Sequence, residues 1–222
     1  MWQELYEQLK QQNFTIIAVA FDSRSGAARP WIDAASPTYT VLLDPNHYVA
    51  ELYNMVNVNQ AVWIDEDGVI VRPTESAGAY EAFRHMDRST GKMPDEVAKV
   101  AADAGETYRN AVRDWAEKGA RSEYVFTPEA ARSRLSLRTA EIAQAHATFV
   151  LGQYLIAKGC DAEGAQLVAR ASELHPESWA IWRQGAELDD RGLAARADFW
   201  ARVDELGDKK YYAAVDMRGM PA

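Results

Sequence analysis

The groups in this 222-residue chain that could do chemistry are one thiol, four imidazoles and a few closely spaced carboxylates and guanidiniums. Cys160 is the only cysteine, so these residues contain no Cys-x-x-Cys pair and cannot close an intramolecular disulfide. It sits between Gly159 and Asp161. An acid beside a thiol gives no cationic help to ionise it, so Cys160 reads as inert. His47, His85, His146 and His175 are scattered, without the spacing of a metal site. No metal, cofactor or catalytic residue is expected. Asp65 and Asp67 stand close to Gly68 and read as turn formers rather than an acid–base pair. Arg24 and Arg29 lie near the end of the first apolar run, where α/β sheets collect ligands; they read as part of a solvated loop. Trp179 and Trp182, three apart, read as core.

Composition excludes several classes. Hydrophobic residues make up 48% and charged residues 26%, as in ordinary globular proteins. The net charge of −9 disfavours nucleic acid and anionic membranes, both of which demand a surplus of Lys and Arg. No apolar run is long enough to span a bilayer. The opening residues MWQELYEQLKQQ lack the basic-then-apolar pattern of a signal peptide, so the expected location is the cytoplasm.

The elements that must position these groups alternate in the first half. Trp2–Gln12 reads as a helix with Trp2, Leu5, Tyr6 and Leu9 on one face. Phe14–Asp22 is a continuous, largely β-branched run of the kind found in a parallel strand covered on both faces. A short helix follows over 26–35, then a strand Tyr39–Leu43. Asp44 and Asn46 are both candidate caps for a helix through Val49, Leu52 and Tyr53. Ala61–Asp65 and Val69–Arg72 flank Glu66-Asp67-Gly68, a strong hairpin signal. A helix over 77–86 closes the unit. From Pro94 the strands cease: Asp95–Lys118 is a long amphipathic helix, Thr127-Pro128 starts another, and Leu135–Lys158 reads as one continuous helix. Shorter helices cover 161–207. The polar stretch Asp87–Lys92 suggests a boundary between domains 1–90 and 91–222.

Leu43-Asp44-Pro45, Tyr53-Asn54-Met55-Val56-Asn57-Val58 and Ile64-Asp65-Glu66-Asp67-Gly68-Val69-Ile70-Val71, in that order after a strand ending in Asp22, resemble the TlpA/ResA-type redoxins. The resemblance covers about the first 85 residues and implies an α/β thioredoxin-like fold, related to peroxiredoxins and thiol–disulfide oxidoreductases. In that family the chemistry sits at a Trp-Cys-x-x-Cys motif, where a helix N-terminus stabilises a thiolate, and at a facing cis-proline. The cis-proline position falls here on Asn59, followed by Gln60. A cis bond before a non-proline residue is costly, so a trans bond is expected there. The motif itself would lie upstream of Met1, together with the first strand of the fold. The aromatics Trp31, Tyr53 and Trp63 could line a groove on the active-site face or pack in the core.

Without that strand, two apolar strands should each show an unpaired edge, which native proteins normally cover. Either an upstream segment supplies the strand and a Cys or Sec motif, or another chain or a rearrangement fills the gap. A homo-oligomer through exposed sheet edges is one such arrangement. In the helical part, residues 145–178 resemble one tetratricopeptide period of about 34 residues. Leu151-Gly152, Leu155, Gly164, Val168, Ala171 and Pro176 take its characteristic positions. Such a TPR-like domain implies docking of a protein or peptide partner. Two functions therefore compete: a redoxin-type oxidoreductase whose active-site motif is not in this chain, or a non-catalytic scaffold with a degenerate thioredoxin-like domain. A hydrolase or metalloenzyme lacks any supporting constellation of residues.

Overall fold

A computed structural model describes residues 1–136 and 138–221. The element order is α1 (Trp2–Leu9), β1 (Ile17–Ala20), α2 (Arg29–Ala35), β2 (Thr40–Leu43), α3 (Tyr48–Tyr53), β3 (Gln60–Ile64) and β4 (Ile70–Ser76), followed by a 3-10 turn over Ala82–His85. Helices follow: α4 (Asp95–Lys118), α5 (Pro128–Ser133), α6 (Ala140–Ala157), α7 (Asp161–Leu174), α8 (Trp179–Gly185) and α9 (Ala197–Glu205). The described residues form two compact units. One contains Met1–Phe14, Asn59–Leu135 and Ala201–Ala222; the other contains Thr15–Val58 and Ser136–Trp200. Each takes residues from both sides of residue 90, where the sequence suggests a boundary. The hairpin β3–β4 groups with α4, and the pair β1–β2 groups with α6–α8.

In the first unit, β3 and β4 form an antiparallel hairpin with Trp63 opposite Arg72. Its turn closes as the sequence predicts. One Asp65 carboxylate oxygen accepts from the Asp67 and Val69 amides (3.1 and 2.8 Å), and Gly68 takes a φ of 78° that disfavours other residues. The hairpin packs Trp63 and Val71 against Leu5 and Leu9 of α1 and against Tyr108, Ala111 and Val112 of α4. Those α4 positions recur at helical spacing, which is why the sequence pattern located this helix.

Arg72 is the largest fully buried side chain, 1% exposed. Its guanidinium makes two 2.7 Å hydrogen bonds to Glu75 and donates to the Tyr124 and Asp216 carbonyls at 2.6 and 3.0 Å. The rings of Trp63 and Phe126 lie 5.3 and 4.3 Å from it. A buried cation is tolerated when both its charge and its donors are met; here one group ties β4 to two distant loops.

In the second unit, β1 and β2 run parallel, Ile17 beside Thr40 through Ala20 beside Leu43. The helices α6 and α7 form a hairpin around Phe149, Val168 and Ala171, with Ile181 of α8 completing the core. Their close approach depends on glycine. A Cβ on Gly164 would lie 2.5 Å from Ile156 Cγ1 and 2.7 Å from the Gly152 carbonyl.

Two expected helices change. Residues 77–86 contain only the 3-10 turn, because β4 runs on to Ser76 and Gly78 takes a φ of 71° pressed against Tyr108. The helix expected over Leu135–Lys158 starts only at Ala140, where the Thr139 hydroxyl accepts from the Ile142 amide. Among the described residues no helix is long and apolar enough to cross a membrane.

The Arg72 hub sets a measurable expectation. Arg72→Ala leaves Glu75, 12% exposed, without its countercharge. It should cost about 3–5 kcal/mol in denaturant unfolding followed through Trp63 and Trp115 fluorescence. A loss below about 1 kcal/mol, the scale of an exposed pair, would show that the hub does not anchor the unit.

Candidate functional site

The loops that follow β1 and β2 meet in the second unit. After β1, the Ser23 amide donates to Gln184 Oε1 at 3.0 Å and the Ser23 hydroxyl to the Pro45 carbonyl at 2.8 Å. Arg24 donates to the carbonyls of Gln184 and Ala186 at the end of α8. Its guanidinium is thereby engaged by backbone oxygens. Arg29 pairs with Asp33 in solvent.

After β2, Asp44 is buried and starts α3, accepting from the Tyr48 and Val49 amides at 2.9 and 2.7 Å. This places His47, with a φ of 58°, in the interior. Its Nε2–H donates to the Phe21 carbonyl at 2.6 Å, and its ring lies 4.5 Å from Phe149 and 5.4 Å from Phe21. Two further imidazoles share this unit. His146 of α6 and His175, just after α7, are 5% and 4% exposed, with ring centroids 6.0 Å apart. Burial pushes His47 down to about 4, against the opposing pull of the Phe21 carbonyl and Asp44. Burial likewise lowers His146 and His175, opposed by Glu51 and Glu177 respectively. All three are neutral near pH 7.

Three of the four histidines that look scattered in the sequence are thus buried together. Among the described residues, no group of three His, Cys, Asp or Glu side chains could hold a metal ion. Sequence reasoning missed this cluster, although one signal was available: His146 falls on the same helical face as Ala145, Phe149 and Gly152, all buried. Beside it runs an open groove of about 510 Å³ between α3 and α6. Tyr48 and Glu51 form one wall, and Ala143, Ala147, Leu151 and Tyr154 the other. Glu51 is paired with Arg138 at 2.8 Å.

The residues singled out from the sequence fall as follows. Asn59 takes a left-handed φ of 60° and accepts from the Ala77 amide at 2.7 Å; Gln60 pairs with Ser76 across the hairpin. No peptide bond among the described residues is cis. Trp63 is enclosed in the first unit. It stacks on Trp115 at 4.9 Å and donates its indole N–H to the Tyr108 hydroxyl at 2.8 Å, so no face is free to line a groove. Trp31 is exposed and Tyr53 half-buried, both in the second unit. Gly152, Gly164, Val168 and Ala171 are buried at the α6–α7 contact, Leu155 is half-buried, and Leu151 and Pro176 are exposed. Trp179 is buried and meets Trp182 edge-on at 5.6 Å. Cys160 is exposed just before α7.

The strands carry an unmet demand. Among the described residues β1 pairs only with β2, and β3 only with β4. In the parallel pair, Ile17, Leu42 and Leu43 are 59%, 47% and 64% exposed. Leu42 and Leu43 are neighbours on one strand and so point to opposite faces. Each face of the pair therefore carries an exposed leucine, while Ala18, Val19, Ala20 and Val41 are half-buried.

Residues 1–72 match the model of the AhpC/TSA family, which supports a redoxin-type, thioredoxin-like N-terminal segment. No curated protein and no solved structure matches the chain.

The Asp44 cap is the local device that sets His47 in place. Asp44→Ala should cost about 1–2 kcal/mol of unfolding free energy by chemical denaturation, and Asp44→Asn clearly less. Equal losses for the two variants would show that the carboxylate is not serving as a cap.

Proposed function

We propose that this protein is a thiol–disulfide oxidoreductase or antioxidant-like protein of the TlpA/ResA redoxin kind. Its reactive Cys or Sec, and the strand that carries it, are not among these 222 residues, so the chain alone does not turn over thiols. The observation that carries this reading is the state of the sheets. The span that matches the redoxin family holds the parallel pair β1–β2, which among the described residues has no further strand on either edge and carries exposed apolar side chains on both faces. Parallel sheets occur almost only where both faces are covered, and native proteins protect exposed edges. A further apolar strand meets that demand. In a redoxin the reactive chalcogen follows such a strand at a helix N-terminus, where the dipole favours the thiolate. Cys160 lies outside the family-matched span in sequence and is not the motif cysteine of a redoxin.

The exposed edges would also support self-association, and we assign the cytoplasm as the compartment. The α3–α6 groove favours a second reading, in which the TPR-like helices α6 and α7 dock a protein or peptide and the thioredoxin-like part is a degenerate scaffold.

Insulin reduction and peroxide turnover assayed on the 222-residue chain should stay at background, and Cys160→Ser should change nothing. Turnover abolished by Cys160→Ser would contradict the proposal. The genomic DNA before the Met1 codon should encode a strand-forming apolar run and a Cys or Sec motif. DNA that encodes neither would leave the scaffold reading.

A further inference from the structure

We propose that His47, His146 and His175 form an acid-sensitive latch, which holds the α3 segment on the α6–α7 hairpin while the three rings are neutral and releases it when they take up protons. The proposal does not depend on the redoxin reading. It rests on where a second proton on each ring would have to go.

An imidazolium carries two N–H donors, a neutral ring only one. At His47 the carbonyl of Phe21 can only accept, so Nε2 bears the hydrogen of the neutral ring. The second proton must then enter at Nδ1, which is buried and has no hydrogen-bond partner. His146 Nδ1 and His175 Nε2 are likewise buried and unpartnered. At all three rings, ionisation would create a buried N–H with nothing to receive it, in addition to the cost of burying the charge.

The neighbours do not relieve that cost. His47 faces Asp44, which favours its charged form, and His146, which opposes it. Both Asp44 oxygens are already committed to the Tyr48 and Val49 amides. His146 faces Glu51 on the favourable side and His175 and Arg138 on the other, and Glu51 is already paired with Arg138. His175 faces Glu177 as its favourable neighbour. Charging one ring of the His146–His175 pair also penalises the other, 6.0 Å away.

The rings join separate pieces of chain. His47 starts α3, its ring packs on Phe149 of α6, and its N–H holds the residue after β1; His146 meets the turn after α7. The sign follows from linkage. Each ring binds its proton more weakly when folded than when unfolded. The stability it confers is complete above about pH 6.5 and drains away as pH falls, for His47 down to about 4. Over its own window each ring raises the opening equilibrium by up to about tenfold per pH unit.

Histidine ring resonances of the full chain, followed against pH, give the direct test. The rings of His47, His146 and His175 should titrate below about 6.5, His47 at about 4. Between pH 6.5 and 4.5 the amide protection factors, corrected for the pH dependence of intrinsic exchange, should fall over residues 44–53 and 140–175 before they do over the β3–β4 hairpin. In His47→Gln, which keeps an N–H donor for the Phe21 carbonyl but takes no proton, that fall should be shallower by up to about tenfold per pH unit. Should that variant not fold, the wild-type titration and exchange decide alone. Rings that titrate at or above about 6.5, or protection factors that fall equally in both units, would overturn the latch.

Discussion

A β-strand presents hydrogen-bonding groups along two edges, and a parallel pair also demands apolar cover on two faces. Among the described residues the β1–β2 pair meets half of the first demand and only part of the second. Leu42 and Leu43, adjacent and pointing opposite ways, are both about half exposed or more. Single exposed leucines are common, but exposed apolar side chains on both sides of one parallel pair mark a missing neighbour. The proposed function rests on that constraint, since in a redoxin the reactive chalcogen follows, at a helix N-terminus, a strand of the kind such an edge would accept.

The two units solve their burial problems differently. The first places a charge at its centre and surrounds it: Arg72 meets one carboxylate, two carbonyls and two aromatic rings, and thereby draws residues 124–126 and 216 onto the hairpin. The second keeps its central polar groups neutral. Its imidazoles sit among Phe21, Phe149 and the small residues that let α6 and α7 close together. Arg72 is satisfied at any pH at which Glu75 is ionised. The histidines suit the interior only while uncharged.

Much of this was legible in the sequence where local chemistry decides the outcome. Asp65 and Gly68 fix the hairpin turn, Thr127 caps α5, and the α4 spacing of Ala104, Tyr108, Ala111 and Val112 marks its buried face. The misread helices were lost to a competing interaction: Gly78 is drawn into a positive φ against Tyr108, and the Thr139 cap restarts α6 well after Leu135. What depends on distant pairing was hidden. Asp44 was visible as a cap, but that it delivers His47 to Phe149, a hundred residues on, was not. Nor could spacing foretell that the β3–β4 hairpin groups with α1 and α4 while β1–β2 groups with α6–α8.

Backbone amide exchange along β1, measured on the monomeric chain at neutral pH, tests the open edge most directly. Alternate amides of Ile17–Ala20 should exchange nearly as fast as free peptide, since only those facing β2 have an acceptor. Protection at every amide of that strand would mean that both its edges are already paired, and the account of an unfilled place in the sheet would fail.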